Sequence, residues 1–159
     1  VEKGMREAIQ KGVVAGYPTV DIKAALFDGS YHPVDSSEIA FKLAAHLAFE
    51  KGVAEAGPVL LEPVMNVTIT VPENFMGDIL GDLNTRRARV MGMDQAKGKS
   101  VVTAQAPLAE MQRYATSLRA MTQGRGIFTM EFSHYEEVPS HIAQGVIEAA
   151  RKAREAEKA

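Results

Sequence analysis

Between Val64 and Tyr135 the spacing of apolar residues switches from strand-like to helix-like and back, and then does so again. Met65, Val67, Ile69 and Val71 alternate with Asn66, Thr68 and Thr70, the period of two that gives a strand one dry and one wet face. Pro72-Glu73-Asn74 opens a helix in which Met76, Ile79, Leu80 and Leu83 follow the spacing of one helical face. Val90 to Met93 and Ser100 to Ala106 then read as strands joined by a polar loop, Asp94 to Lys99, that contains Gly98. A second helix follows Pro107, carries Met111, Tyr114, Ala115 and Leu118 inward and ends near Gly124. Ile127 to Tyr135 closes the series as a strand with Phe128, Met130 and Phe132 on one side. The order is βαββαβ. Two βαβ halves of similar length close most simply as a ferredoxin-like sandwich, one antiparallel sheet with both helices on one face. Gly77 and Gly81 each cost roughly 1 kcal/mol relative to Ala inside a helix, so their spacing predicts a close backbone approach, to the sheet or to a partner.

The residues before this unit are patterned differently. Val1 to Lys11 reads as a short amphipathic helix with Met5, Ala8 and Ile9 on one face and Gly12 as its stop. Val20 to Leu26 alternates as a strand and ends at the turn dipeptide Asp28-Gly29. Pro33 pushes His32 towards an extended conformation, which places Tyr31 and His32 at a loop tip. Asp35-Ser36-Ser37-Glu38 has the form of a capping box, with Asp35 expected to cap the Glu38 amide. The helix it opens, Ser36 to about Val53, carries Ile39, Leu43, Leu47, Phe41, Ala45 and Phe49 across a broad apolar face. Glu38, Lys42, His46 and Glu50 line the opposite ridge, where His46 reads as a solvated residue. Gly57-Pro58 ends this pattern, Val59 to Pro63 reads as a short strand, and Pro63 marks the expected boundary. Two strands are too few for an independent sheet, so the first unit is expected to be incomplete and to self-associate through an open edge. After Pro139 a capped helix begins at Ser140 with Ile142, Val146 and Ala149 or Ala150 inward, and it is expected to fray beyond Ala150.

Composition excludes several function classes. With 46% hydrophobic and 24% charged residues the chain is globular rather than disordered. No apolar run approaches the roughly 20 residues of a membrane span and the start has no signal-peptide core, so a soluble cytoplasmic protein is expected. The absence of cysteine removes disulfides, thiolate metal sites and cysteine nucleophiles. A net charge of −2 argues against a non-specific polyanion binder. The sequence has no G-x-x-x-x-G-K-[ST] phosphate loop, no G-x-S-x-G and no H-E-x-x-H, and its acids are scattered singly, so no catalytic, cofactor or metal site is expected in this chain. The start at Val1 is read as that of a fragment.

Three stretches, taken in order, carry a family resemblance: AGYPTVDIKAALFDGSYHPVDSSEIAF, VLLEPVMNVTITVPENFMGDILGDLNTRR and APLAEMQRYATSLRAMTQGRGIFTMEFSHYEEVP. They resemble the end of the fourth domain and the fifth domain of the bacterial translation elongation factor G family. The resemblance implies an α+β chain with three parts. Residues 1–62 would be a partial βα unit of domain four, like the second domain of ribosomal protein S5. Residues 63–139 would be the ferredoxin-like domain five, and residues 140–159 a C-terminal helix with a frayed tail. It implies a ribosome-binding role without catalysis, with GTP and Mg²⁺ bound in a domain of the parent outside this chain. Gly29, Ser30, Tyr31 and His32 match the family tip that reaches transfer RNA and messenger RNA in the decoding centre. Pro33 departs from the family pattern at a position that often carries an acidic residue, and modification of His32 is not implied.

The basic residues suit the second half of that role. Arg86, Arg87 and Arg89 cluster after one helix, where they also complement its dipole, and Arg119 and Arg125 end the other. If both helix ends share one edge of the sandwich, Arg86, Arg87, Arg119 and Arg125 would bind phosphates of large-subunit RNA through guanidinium forks. The strands lack the surface aromatics of an RNA-recognition motif, so base stacking is not expected. Two other readings fit the same residues: a ribosomal-protection or recycling paralogue, and a free-standing ferredoxin-like module that binds a small ligand.

Overall fold

The computed structural model describes residues 1–158. The chain divides into two compact units, one spanning Leu61–Glu137 and the other formed by Val1–Leu60 together with the segment from Val138 onward.

The Leu61–Glu137 unit is a four-stranded antiparallel sheet in the order β2-β3-β1-β4, built from β1 (Leu61–Pro72), β2 (Arg89–Ala96), β3 (Lys99–Pro107) and β4 (Ile127–Glu137). Helices α3 (Met76–Thr85) and α4 (Tyr114–Thr122) complete the predicted βαββαβ order. Most of the predicted core is buried, but Ala115 and Phe132, both read as inward, are exposed. Val67, Ile69 and Val71 of β1, Val102, Ala104 and Ala106 of β3, Ile79 and Leu83 of α3 and Tyr114 and Leu118 of α4 are buried together. The internal repeat extends to the connections. Pro72 and Pro107 each end a strand in an extended conformation and lead into a 3₁₀ turn, Glu73–Phe75 and Leu108–Met111, before the helix.

Several expectations are corrected. Gly77 and Gly81 face open space, because nothing would lie within 4 Å of a side chain built there, so neither marks a close approach to the sheet. The β2–β3 connection is a two-residue turn, Lys97-Gly98, with φ of 51° and 75° rather than a six-residue loop. Both residues lie in the left-handed region, as hairpin turns matched to strand twist require. Pro63 lies inside β1, paired with Tyr135, and does not end the strand; the ladder to β3 begins only at Val64, so β1 is one-sided at the residue without an N–H.

In the other unit α1 (Glu2–Lys11) packs on α2 (Glu38–Glu55), with Ala8, Phe49 and Val53 buried and Met5, Ile9 and Val13 against them. The crossing is close: a Cβ on Gly4 would sit 2.8 Å from Lys42 Cα and 2.9 Å from its carbonyl oxygen. This contact rotates the packed side of α2: Ala45 and Phe49 of the predicted apolar face are buried as expected, and Glu38 and Glu50 stay exposed, but the packed side takes in part of the polar ridge. Lys42 and His46 turn towards α1, where Lys42 Nζ meets Glu7 Oε1 at 3.0 Å and His46 Nε2 lies 3.7 Å from Glu7 Oε2. Ile39, Leu43 and Leu47 are left exposed. The cap also moves: Ser37, not Asp35, accepts the Ala40 amide at 3.1 Å. The predicted strand Val20–Leu26 joins no sheet, because no strand lies beside it among the described residues. Helix α5 (Ser140–Glu157) continues past Ala150, and Ala159 of the expected tail lies outside the described residues. Arg151 pairs with Glu148 and Glu155, and Lys152 with Glu148, spacings that support the helix as far as Glu157.

Candidate functional site

The loop before α2 is held by its own polar groups. The His32 amide donates to Ser36 Oγ at 2.6 Å, and the Ser36 amide returns a bond to the His32 carbonyl at 3.0 Å. This reciprocal pair closes the turn over Pro33–Asp35 and lifts Tyr31, 72% exposed, and His32 into solvent. Gly29 donates its amide to Asp28 Oδ1 at 2.7 Å, and Ser30 is exposed beside it. Two contacts use His32 Nδ1 in opposite senses. The Val34 amide approaches it at 3.3 Å, which requires an unprotonated nitrogen, and Asp35 Oδ2 approaches at 3.2 Å, which requires a proton on it.

Arg86, Arg87, Arg119 and Arg125 do not share an edge. Arg86 donates to Asp82 Oδ2 at 2.8 Å, to the Glu110 carbonyl at 2.7 Å and to Ser117 Oγ at 2.9 Å, with its guanidinium 5.0 Å from the Tyr114 ring. Arg87 binds Glu62 through both terminal nitrogens, at 2.7 and 3.0 Å, and Glu110 Oε1 through Nε at 3.1 Å. The hydrogen bonds to Glu62 and then to Glu110 raise its pKa further above the usual arginine value, against the effect of burial. Arg89 pairs with Glu136, which also accepts His134 Nε2 at 2.8 Å. All three guanidinium groups of this cluster are thus matched by carboxylates of their own unit.

The other pair lies where β1 finishes. Arg125 stacks 4.8 Å from the Phe75 ring and otherwise meets only Gln123 Oε1, at 3.2 Å. Arg119 is exposed, and its carbonyl accepts the Gly124 amide at 2.9 Å. Glu62 is the second residue of β1 and Phe75 follows its end, so the two arginine groups are separated by nearly the whole strand, roughly 30 Å at ~3.3 Å per residue. The physical reason is topological. In this βαββαβ sheet β1 and β3 run in opposite directions, so the helices that follow them end at opposite rims.

Residues 59–146 match the family Elongation factor G C-terminus, and residues 1–57 match Elongation factor G, domain IV. The chain belongs to the elongation factor G family. A similar relative is elongation factor G of Aquifex pyrophilus, 58% identical over 92% of this chain and 21% of that protein. A crystal structure from Thermus thermophilus superposes with a TM-score of 0.82 at 49% identity, covering 95% of this chain and 23% of that one. The chain therefore spans about a fifth of the length of the curated relative. As the C-terminal region of an elongation factor G, it places the Gly29–His32 loop in the part matched to domain IV and the arginines in the part matched to the C-terminus. Among the described residues no cluster of His, Asp and Glu could hold a metal ion, and no helix is long and apolar enough to cross a membrane.

Two features of the elongation factor G surface escape a reading by motif. The carboxylates that neutralise Arg86 and Arg87 come from Glu62, Asp82 and Glu110, and two of these three are remote in sequence. Lys97 and Lys99 stand at the turn of the β2–β3 hairpin; a Lys-Gly pair between alternating runs is the local signal for that exposed position.

Proposed function

We propose that this chain is the ribosome-binding C-terminal region of a translational GTPase of the elongation factor G type, acting in movement of transfer and messenger RNA. The parts are residues 1–62 from domain four, residues 63–139 as domain five and residues 140–159 as a C-terminal helix. The tip, Gly29 to His32, enters the decoding centre as a wedge, and domain five braces on large-subunit RNA. GTP and Mg²⁺ belong to a domain of the longer relatives, and the contribution of this chain is mechanical. The observation that carries this reading is the tip itself: Tyr31 and His32 are held out in solvent by the His32–Ser36 pair, with Pro33 restricting the backbone between them.

Arg119 and Arg125 remain in this reading as RNA contacts because their charge is uncommitted, whereas Arg86 and Arg87 serve the unit internally. The test is binding of the chain to purified ribosomes across a salt series. Salt-sensitive binding is expected at low ionic strength. A folded chain that fails to bind ribosomes at low salt would refute the reading. In a full-length parent, His32→Ala is expected to slow translocation while leaving GTP hydrolysis intact; equal rates for the variant and the parent would remove the tip from the mechanism.

A further inference from the structure

We propose that Ser133 is a modification site, its hydroxyl activated by His134 for acylation by an activated ester. The site is independent of the ribosome-binding role. Alternation along a strand puts residues 134 and 136 on one face of β4 and residue 133 on the other. Here Val64 of β1 pairs with His134 and Met65 with Phe132, which leaves Ser133 as the extra residue of a β-bulge. A bulge re-aims the side chain at its extra position, and Ser133 comes round to meet its neighbour. Ser133 Oγ lies 2.8 Å from His134 Nδ1, and His134 Nε2 lies 2.8 Å from Glu136 Oε1.

The far end of this relay sets the direction of its protons. Arg89 of β2 pairs with the same oxygen of Glu136. The hydrogen bonds from His134 and then from Arg89 hold the Glu136 carboxyl below its usual value, so it is ionised near neutral pH. An ionised carboxylate only accepts, so the neutral ring carries its proton on Nε2 and leaves Nδ1 to accept from the Ser133 hydroxyl. Glu62, opposite Glu136 on β1, is committed to Arg87 and does not compete for the ring. A hydroxyl, a base and an orienting carboxylate thus stand in the order that activates a nucleophile. In the step, Ser133 Oγ bonds to the acyl carbon, the ester C–O bond breaks, its electron pair leaves with the alkoxide, and the Oγ proton passes to His134 Nδ1. Ser133 is half-buried and the His134 side chain is 40% exposed, so a small ester reaches the pair from solvent. Other serines are used differently: Ser36 and Ser37 accept backbone amides, and Ser117 accepts from Arg86.

The experiment treats the 159-residue chain with p-nitrophenyl acetate and follows acetylation of each serine by peptide mass spectrometry. A positioned general base accelerates such a step by about 100-fold or more, so Ser133 is expected to acetylate at least about 100-fold faster than Ser30, an exposed serine without a histidine partner among the described residues. His134→Ala is expected to bring Ser133 down to the Ser30 rate, and added imidazole to restore part of the difference at Ser133 alone. Thermal unfolding checks that the variant is folded, and the Ser133-to-Ser30 ratio in the unsubstituted chain tests the site without any variant. Equal rates at the two serines in that chain overturn the proposal, as does a His134→Ala variant that keeps the fast rate. A slow variant that imidazole does not rescue overturns it too, because the ring then supports the bulge without taking the proton.

Discussion

Arg87 closes on Glu62 with both terminal nitrogens, 2.7 Å to Oε1 and 3.0 Å to Oε2, and so ties the end of α3 to the start of β1. Both side chains are largely withdrawn from water, 25% and 12% exposed, where a bidentate pair is harder to replace by solvent than at the surface. Arg87→Ala should lower stability by about 1–3 kcal/mol, because Glu62 is left half-buried and unpaired. Arg119→Ala should change it by less than about 0.5 kcal/mol. Urea denaturation of the two variants measures the difference; equal midpoints would show that the Arg87 pair is not a structural clamp.

The glycines offer a test of opposite signs. Gly77 lies within α3 facing open space, so Gly77→Ala should stabilise by about 0.5–1 kcal/mol through helix propensity and a less flexible unfolded chain. Gly4→Ala puts a methyl group against the Lys42 backbone and should loosen the α1–α2 crossing. Thermal unfolding should move up for the first and down for the second. A destabilised Gly77→Ala would restore the close-packing reading.

Tyr114 is buried and its hydroxyl has no hydrogen-bond partner. Burial first, and then the charge of Asp82, push its pKa up to about 12, with Arg86 opposing. Tyr17, Tyr31 and Tyr135 are exposed. A spectrophotometric titration should therefore show a late-ionising tyrosine phase that belongs to Tyr114. For a raised folded pKa the contribution to stability is complete below the unfolded value near ~10 and is lost as pH rises through about 12. Tyr114→Phe should abolish the late phase at little cost in stability, since no hydrogen bond is removed. Persistence of that phase in the variant would assign it elsewhere.

Acid should act through Glu136. The hydrogen bond from His134, and then that from Arg89, hold its carboxyl below the usual value of 4.5. A depressed folded pKa gives stability that is present above the unfolded value and lost as pH falls through the folded one, so the window opens below about 4.5. Glu136→Gln should flatten the acid limb of a stability profile below that pH. A limb of unchanged steepness would mean that other carboxylates carry it.

Ile22 to His32 runs without a turn or bend. Apart from Gly29 and His32, none of its backbone amides finds a partner among the described residues. Leu26 and Phe27 are 72% and 96% exposed. Such a segment is a template for strand pairing, and reversible association of the 159-residue chain is expected at high concentration. Sedimentation should show it, and Leu26→Asp/Phe27→Asp should weaken it. A strictly monomeric wild type across the concentration series would rule it out.

The sandwich was legible because its signals are local and repeated. Val67, Ile69 and Val71 could only face one way, and the two strand–Pro–helix passages repeat the same chemistry. The apolar face of α2 is packed only in part, at Ala45 and Phe49 and not at Ile39, Leu43 and Leu47, because periodicity places apolar residues on a broad stripe without saying which side of it a neighbour covers. Gly4 and Glu7, thirty-five residues and more before their contacts on α2, decide that Lys42 and His46 join the packed side. Asp35 and Ser37 are both competent caps, and the turn over Pro33–Asp35 commits Asp35 to His32.

Period, proline and turn chemistry determined from sequence alone the βαββαβ order, most of the core residues and the exposed Tyr31-His32 tip. Which charges are free was decided only by the fold. A sequence shows Arg86, Arg87, Arg119 and Arg125 as equals, two at the end of each helix. The antiparallel sheet sends the helices to opposite rims, where Glu62 and Glu110 reach Arg87, Asp82 reaches Arg86, and Arg119 and Arg125 are left to solvent and the Phe75 ring. Charge neutralisation depends on distances of a few ångströms between residues far apart in the chain, and only tertiary structure sets those distances.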